Sequence, residues 1–195
     1  MALRVPKAEL TTELRESLIK QFGAVPEPLE VTWHNPGVAE TSMGLGGQVG
    51  AWDSVDEGLK SYAHMAVAAQ VGCGWCLDIG YFQAANRNLD VAKASQVPRW
   101  RESEVFTPLE RDVLEYAEAM TNTPPTVSDE LSASLLDRLG PAALVELTVF
   151  ISFSNFATRS NNALGIESQG FSAECEIPLA ACPQSPEKSG VASTV

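Results

Sequence analysis

The chain has 195 residues, of which 45% are apolar, and it carries a formal net charge of −12. This length is sufficient for one substantial hydrophobic core and predicts a single domain with a tail. The acidic charge argues against binding to nucleic acids or anionic membrane surfaces, because both are polyanionic and no basic patch interrupts the acidic background. Since the N-terminus lacks a signal-peptide pattern and no apolar run approaches the length of a membrane span, we expect a cytoplasmic protein.

Helical patterns dominate the first part of the chain, where strand signals are scarce. An amphipathic pattern over residues 8–21 begins after Pro6 and ends at Gly23, which predicts a packed helix or an oligomer contact. Residues 28–53 are rich in glycine, and the spacing at 44–50 invites comparison with a dinucleotide-binding fingerprint. The last glycine of that run is one position out of register, however, and no strand precedes it. We therefore predict a flexible connector, which could also line a substrate entrance.

Clear start and stop signals divide the second half of the chain into helices. A short helix is predicted from Leu89, followed by a connector at 100–106. A threonine, a proline and a glutamate at 107–110 form a capping-box pattern, which is a strong helix start. The next helix is predicted over 128–140, where it ends at a glycine, and a last helix over 141–163.

Helical patterns therefore dominate the chain, and strand signals are few. Residues 1–27 are predicted to form an N-terminal helix and linker, and residues 173–195 an extended or disordered tail rich in Pro, Ser and Ala. Cys175 and Cys182 lie in this tail. We expect them to be free thiols in the cytosol, although a mobile cysteine could also resolve an oxidised thiol elsewhere.

The most informative motif is Cys73-Gly74-Trp75-Cys76. Gly72 interrupts the apolar run before it, which predicts that Cys73 lies at a helix N-terminus. There the unpaired N–H groups and the helix dipole favour the thiolate and lower the thiol pKa from about 8.5. Cys76 projects from the same face one turn later, so the two sulfurs can close and reopen a disulfide. The spacing therefore predicts redox chemistry.

Two other interpretations of the motif remain open. A CxxC pair can be half of a zinc site, but the remaining candidate ligands, Cys175, Cys182, His34 and His64, form no second compact pair. We therefore expect neither a metal nor another cofactor. The two thiols could also be inert core residues.

Several stretches of the chain resemble a known family. They are residues 63–80, which contain the CxxC pair, residues 106–120, and the shorter segments 127–130 and 144–148. Over roughly residues 28–172 the chain is similar to the carboxymuconolactone decarboxylase and alkylhydroperoxidase D-like superfamily.

This resemblance implies a fold, an assembly and an activity. The expected fold is an all-α, alkylhydroperoxidase D-like helical bundle that forms homo-oligomers, often trimers or hexamers. The expected activity is peroxide reduction at the CxxC site, with a protein or thiol reductant. The resemblance also implies that Cys76, the second cysteine of the pair, is the one that reacts with the peroxide.

This chain departs from the family pattern at two positions whose side chains relay protons to the thiols in redox-active members of the family. The family pattern has a glutamate where this chain has Ser61, and a histidine where it has Gly80. Neither residue can act as a general base at neutral pH. His64 lies on the same helix face as Ser61, and its unperturbed pKa of about 6.5 makes it the predicted replacement for the glutamate. The alternative is a hydrogen-bonded core histidine.

Other charged residues near the motif are weaker candidates for a proton relay or pocket wall. Glu57 falls on the same helical stripe as His64. Asp78 follows the second cysteine closely, and a structural carboxylate in the first turn of the helix is its simpler interpretation. An anionic Asp78 beside the thiols would raise their pKa.

The last predicted helix carries a polar stripe. Asn155, Arg159 and Asn162 recur at helical spacing beside aromatic residues. Arg159 could line the thiol pocket and favour the thiolate, or it could face solvent or a subunit contact. Glu146, earlier on the same helix, is a second candidate acid or salt-bridge partner.

Two functions fit these observations. The first is a thiol-dependent antioxidant enzyme that reduces hydroperoxides through the CxxC pair and is regenerated by a cellular dithiol. The second is a non-redox decarboxylase or lyase, in which His64 and Arg159 act on a carboxylated small molecule. A catalytically silent oligomeric scaffold is the third possibility. The expected partners are a small-molecule substrate, a thiol reductant and further copies of the chain.

Overall fold

The computed structural model describes residues 3–173 and 175–183, and within these ranges the fold is all-helical, as predicted. The α-helices are α1 Thr12–Phe22, α2 Glu27–Thr32, α3 Pro36–Gly50, α4 Glu57–Val71, α5 Gly74–Asn86, α6 Val91–Gln96, α7 Pro108–Thr121 and α8 Asp129–Leu164. A 3-10 helix, Val97–Glu102, occupies the start of the predicted connector at 100–106. The parts of the predicted tail at 174 and 184–195 lie outside the described residues.

Helix α4 lies at the centre of the core and packs against α5, α7 and α8. Its alanines permit close helix approach, and Ala63, Met65 and Val67 are completely buried. Leu114 of α7 and Leu147 of α8 are buried against this helix bundle. The core thus forms around the helix that immediately precedes the CxxC motif.

The predicted capping box at the start of α7 is confirmed. The Thr107 hydroxyl accepts a hydrogen bond from the Glu110 N–H at 3.3 Å, and the Glu110 carboxylate accepts one from the Thr107 N–H at 2.6 Å. The same carboxylate pairs with Lys93 at 2.7 Å. Local capping and a tertiary ion pair therefore fix the same helix end.

The predicted flexible connector at 28–53 is wrong, because this region forms α2 and α3. Asn35 caps α3 through its side chain, and Pro36 occupies the first turn. Each helical glycine costs about 1 kcal/mol relative to alanine, so the composition argued against a helix. At Gly46 the missing side chain allows α3 to pack closely on α8, because a Cβ at this position would lie 3.2 Å from the Phe153 ring. This packing offsets the low helix propensity of glycine. Tertiary packing therefore overrides local propensity here.

Helix α8 combines the last two predicted helices. The two meet at Gly140, which has φ 78° and interrupts the helical geometry as the sequence indicated. By length and composition α8 qualifies as a candidate membrane span, with a mean hydropathy of 1.4 over its most apolar window, of which 28% is buried. This corrects the expectation that no apolar run is long enough. Ser154, Thr158 and Asn161 are nevertheless buried polar residues of this helix, which is typical of a core helix.

The described part of the tail lies along α5 and α6. The Tyr81 hydroxyl donates a hydrogen bond to the Ile177 carbonyl, and the Ala180 N–H donates to the Ser95 carbonyl at 2.9 Å. Cys175 is partly buried and Cys182 is exposed, and neither forms a disulfide. Residues 175–183 therefore follow the surface of α5 and α6, and most of them are exposed.

Candidate thiol site

The CxxC pair lies at the start of α5, as predicted. Gly72 adopts the left-handed conformation, with φ 77°, and ends α4. Cys73 then caps α5, and its sulfur accepts a hydrogen bond from the Cys76 N–H at 3.3 Å. The two cysteines form a disulfide with a Cα–Cα distance of 5.4 Å, and each is only 1% exposed. The pair is therefore a buried disulfide at a helix N-terminus.

A side chain that the sequence analysis missed contacts the second sulfur. The Asn161 amide nitrogen donates to the Cys76 sulfur at 3.3 Å, and Asn161 is buried. A hydrogen bond to a sulfur is strengthened when the sulfur becomes negative, so this amide favours the Cys76 thiolate. The detectable signal was the spacing of Ser154, Thr158 and Asn161, a second polar stripe on α8.

The neighbouring Asn162 supports the turn between α4 and α5. Its side-chain amide donates to the carbonyl of Val71 at 3.3 Å and to that of Gly72 at 3.2 Å. These carbonyls belong to the C-terminal end of α4, where helical hydrogen bonding is incomplete. Asn162 therefore positions the turn that presents Cys73.

The His64 ring lies in the space next to Gly80 and close to the Cys76 backbone. An alanine Cβ at position 80 would lie 3.1 Å from His64 Cδ2 and 3.6 Å from His64 Nε2. His64 Nδ1 is 3.2 Å from the Ser154 hydroxyl oxygen, and the ring also forms a hydrogen bond to the Cys76 backbone. Thus the absence of a side chain at Gly80 makes room for an imidazole that comes from α4 instead of α5.

The environment of His64 keeps the imidazole neutral. Burial lowers its pKa below the ordinary value, and the hydrogen bond to the Cys76 backbone opposes this shift only in part. A neutral imidazole has one unprotonated ring nitrogen that can accept a proton, which is the form required of a general base.

The buried imidazole predicts a pH-dependent stability. Because its pKa is lowered in the folded state, the unfolded chain binds the proton more readily. The stabilisation is therefore complete above about pH 6.5 and is lost as the pH falls below that value. We expect urea unfolding to show a loss of stability from about pH 6.5 to 5 that is smaller in His64→Gln than in the wild type. Identical slopes would contradict a neutral buried imidazole.

A cavity of about 530 Å³ opens on the other side of the His64 ring. His64, Ser61 and Gly80 form part of its wall, while Trp52 and Phe150 supply aromatic surface. A cavity of this size accommodates a small organic molecule. Because His64 lines this cavity and is hydrogen-bonded to the Cys76 backbone, it lies between the cavity and the first turn of α5.

A buried ion pair shapes the same cavity. Lys60 Nζ lies 3.6 Å from the Glu146 carboxylate and donates to the Trp52 carbonyl. Burial raises the pKa of Glu146, but hydrogen bonds from the Ser54 and Val55 N–H groups and the charge of Lys60 outweigh it, so the net shift is downward. Glu146, predicted as a candidate acid, is thus a carboxylate that ties the 52–55 loop to α8.

Two other predicted residues lie away from the sulfurs. Glu57 pairs with Arg87 at 2.6 Å, and both line the cavity at exposed positions. Arg159 is exposed, donates to the Thr121 carbonyl at 2.5 Å, and lines a separate surface cavity. The hydrogen bonds of Arg159 therefore join α8 to the end of α7.

Asp78 faces a different part of the molecule from His64. Its buried carboxylate accepts hydrogen bonds from the N–H groups of Gly170, Phe171 and Ser172 and from the hydroxyls of Ser168 and Ser172. Burial raises the pKa of Asp78, but the hydrogen bonds from Ser172, Ser168 and Phe171 outweigh it. The net effect is a lowered pKa, so the carboxylate is charged at neutral pH. This arrangement favours the structural interpretation over a proton relay.

Metal ligation has no support in the part of the chain that the structure describes. Across residues 3–173 and 175–183, no three His, Cys, Asp or Glu side chains are grouped so that they could hold a metal ion. Cys73 and Cys76 are bonded to each other, which occupies both sulfurs.

Comparisons with known proteins found similarity to one family over part of the chain. The carboxymuconolactone decarboxylase family pattern matches residues 36–119, which include the CxxC pair. An uncharacterized Escherichia coli (strain K12) protein, YnjA, is 38% identical over 124 residues, 64% of this chain. The matched region spans 66% of the length of that relative.

Solved structures share the fold. The debrominase Bmp8, solved in complex with 2,3,4-tribromopyrrole, has a TM-score of 0.76 and 20% identity, covering 88% of this chain and 94% of its own. A peroxidase-related protein with an alkylhydroperoxidase core from Ralstonia eutropha JMP134 also has a TM-score of 0.76, at 17% identity, covering 90% and 97%. Residues 36–119 are therefore similar to the carboxymuconolactone decarboxylase family, and the chain shares the fold of alkylhydroperoxidase-related proteins.

Proposed function

We propose that this protein is a thiol-dependent hydroperoxide reductase that uses Cys73 and Cys76 as its redox pair. The observation that carries the proposal is the position of Cys76. The Cys76 sulfur forms the disulfide with Cys73 and accepts a hydrogen bond from Asn161. The neutral His64 ring is hydrogen-bonded to the Cys76 backbone. In this proposal Cys76 is the nucleophile, Cys73 the resolving thiol and His64 the base.

The reaction begins with the reduced pair. His64 accepts the Cys76 thiol proton, and the thiolate attacks the peroxide, forming an S–O bond while the O–O bond breaks. The proton on His64 passes to the departing alkoxide, which leaves as an alcohol. Cys73 then attacks the sulfenic acid, so that the S–S bond forms, the S–O bond breaks and water leaves. A dithiol reductant restores both thiols.

The cavity favours an organic substrate over a very small one. Its walls combine the aromatic surface of Trp52 and Phe150 with the polar groups of Ser61 and His64. Lys60 adds a buried ammonium with three donor hydrogens, one of which is donated to the Trp52 carbonyl, while Glu146 forms an ion pair with it at 3.6 Å. The same ammonium supports the second candidate function, a decarboxylase or lyase that acts on a carboxylated molecule with His64 as base.

We also propose that the chain acts as a homo-oligomer in the cytoplasm. Large apolar side chains are exposed on α3 and α8, namely Val38, Met43, Leu45, Val145, Val149 and Phe156. Val145 alone is 65% exposed, and grouped exposure of this kind is typical of an interface. A trimer or hexamer would cover these faces, and a reducing compartment would allow the disulfide to cycle.

A redox titration tests the proposed function directly. The purified, reduced protein receives one equivalent of cumene hydroperoxide, and free thiols are followed by mass spectrometry. We expect a Cys73–Cys76 disulfide within seconds, one equivalent of alcohol, and full reversal by dithiothreitol. Thiols that stay reduced, with a carboxylated lactone consumed instead, would favour the second function. Thiols that stay reduced with no substrate consumed would overturn both.

A further inference from the structure

The serine that contacts His64 differs from the other hydroxyl residues of its helix. Between residues 141 and 164 of α8 the other hydroxyls donate to the carbonyl four residues earlier, namely those of Thr148, Ser152, Thr158 and Ser160. This is a common arrangement for a hydroxyl inside a helix. The Ser154 hydroxyl, in a residue that is 1% exposed, instead lies 3.2 Å from His64 Nδ1. Ser154 therefore serves the imidazole rather than its own helix.

The ring also contacts the backbone of α5. Burial lowers the pKa of His64, and the hydrogen bond to the Cys76 backbone acts in the opposite direction. A bond that raises an imidazole pKa favours the protonated ring, so the backbone group accepts a ring N–H. The Cys76 N–H has a different partner, since it donates to the Cys73 sulfur at 3.3 Å. The group that binds the ring is therefore the Cys76 carbonyl.

The position of Gly80 shows which ring nitrogen meets this carbonyl. In the helical pattern of α5 the Gly80 N–H bonds to the carbonyl four residues earlier, which is that of Cys76. His64 Nε2 is 3.6 Å from the place that a Cβ on Gly80 would occupy, whereas Nδ1 faces Ser154. A carbonyl oxygen has two lone pairs, so it can accept both the helical N–H and the ring. Nε2–H is therefore the donor to Cys76.

These two contacts define the tautomer of the neutral ring. With the hydrogen on Nε2, Nδ1 is the unprotonated nitrogen and accepts the Ser154 O–H. We propose that Ser154 is the positioning residue of the base and holds His64 Nδ1 as the atom that takes up the proton. This inference rests on the proposed function, because it assigns the atom and the partner through which His64 acts.

The Ser154 hydroxyl can serve both protonation states of the ring. When Nδ1 takes the proton of the Cys76 thiol, an N–H bond forms, the S–H bond breaks, and the electron pair stays on sulfur as the thiolate. The hydroxyl then rotates, and its oxygen accepts the new N–H, because a hydroxyl is both donor and acceptor. The imidazolium thus has a hydrogen-bond acceptor at each nitrogen. These bonds offset part of the cost of charging a buried group.

The tautomer can be measured in the disulfide form, without peroxide chemistry. The chain has only two histidines, so ¹⁵N-histidine labelling reports two rings, and His34→Gln assigns them. In long-range proton–nitrogen spectra at neutral pH we expect His64 to show a protonated Nε2 and a bare Nδ1. In Ser154→Ala the Nδ1 signal should move to that of a nitrogen without a donor, while Nε2 stays protonated. A protonated Nδ1 in the wild type would overturn the assignment.

Kinetics test whether the contact acts in the reaction. Ser154→Ala should lower the single-turnover rate constant of Cys76 oxidation by cumene hydroperoxide about tenfold, because the protonated ring loses a hydrogen bond. Its preserved Nε2 signal shows that the site is intact. The matched control, Ser152→Ala, removes an exposed hydroxyl of the same helix and should keep the wild-type rate.

Two results separate this inference from the proposed function. A wild-type rate in Ser154→Ala, together with a shifted Nδ1 signal, would overturn the role of Ser154 and leave the peroxide reductase standing. A wild-type protein with the Nε2–H tautomer that forms no disulfide with peroxide would overturn the proposed function and leave the tautomer assignment standing.

Discussion

Replacing Cys76 by serine is expected to abolish dithiol-dependent peroxide turnover, with a loss of about a thousandfold or more. The physical reason is that Cys76 combines the nucleophilic sulfur with the stabilising Asn161 amide and the His64 contact. Serine at this position would keep a hydroxyl of similar shape but an oxygen that is far less nucleophilic at neutral pH. The measurement is the steady-state rate with cumene hydroperoxide and dithiothreitol.

The Cys73→Ser variant separates the roles of the two sulfurs. It retains Cys76, so one equivalent of peroxide should still be consumed, and a sulfenic acid should accumulate that a dimedone probe can label. Turnover should then depend on direct attack by the external thiol. The matched controls are Cys175→Ser and Cys182→Ser, which should leave the rate unchanged. If Cys73→Ser lost the first turnover and Cys76→Ser kept it, the assignment of roles would be reversed.

The second large effect is expected at the contact between His64 and Gly80. His64→Gln should lower the rate of Cys76 oxidation at pH 7 by about a hundredfold, because a general base contributes about 10² to 10⁴ to such a step. Gly80→Ala should lower it similarly without removing the imidazole. The added methyl would lie 3.1 Å from the ring and 3.2 Å from Met65, so the ring must shift by a few tenths of an ångström from its position beside the Cys76 backbone.

Gly47→Ala is the matched control for this substitution. Position 47 is also a helical glycine, but a Cβ there meets nothing within 4 Å. This variant should keep the wild-type rate and gain about 1 kcal/mol in the free energy of unfolding from its higher helix propensity. Gly80→Ala should gain none of this, because the tight contact offsets it. Wild-type oxidation rates in both Gly80→Ala and His64→Gln would exclude His64 as the base.

Local signals in the sequence located the thiol pair and most helix boundaries. The capping box at Thr107, the break at Gly140 and the glycine before Cys73 each act within a few residues, so they can be read without the fold. The glycine-rich region before α4 misled this type of reasoning. Its helix is stabilised by contacts such as Gly46 with Phe153, which are distant in sequence.

The surroundings of the sulfurs show the same division. The sequence by itself determined that Cys73 and Cys76 form a pair at a helix start, and it identified His64 as the nearest candidate base. Only the tertiary structure decided that His64 lies against Gly80, that Asn161 faces Cys76, and that the Asp78 carboxylate binds residues 168–172. Helical periodicity defines which residues share a face, but which face meets the thiols depends on how α4, α5 and α8 pack.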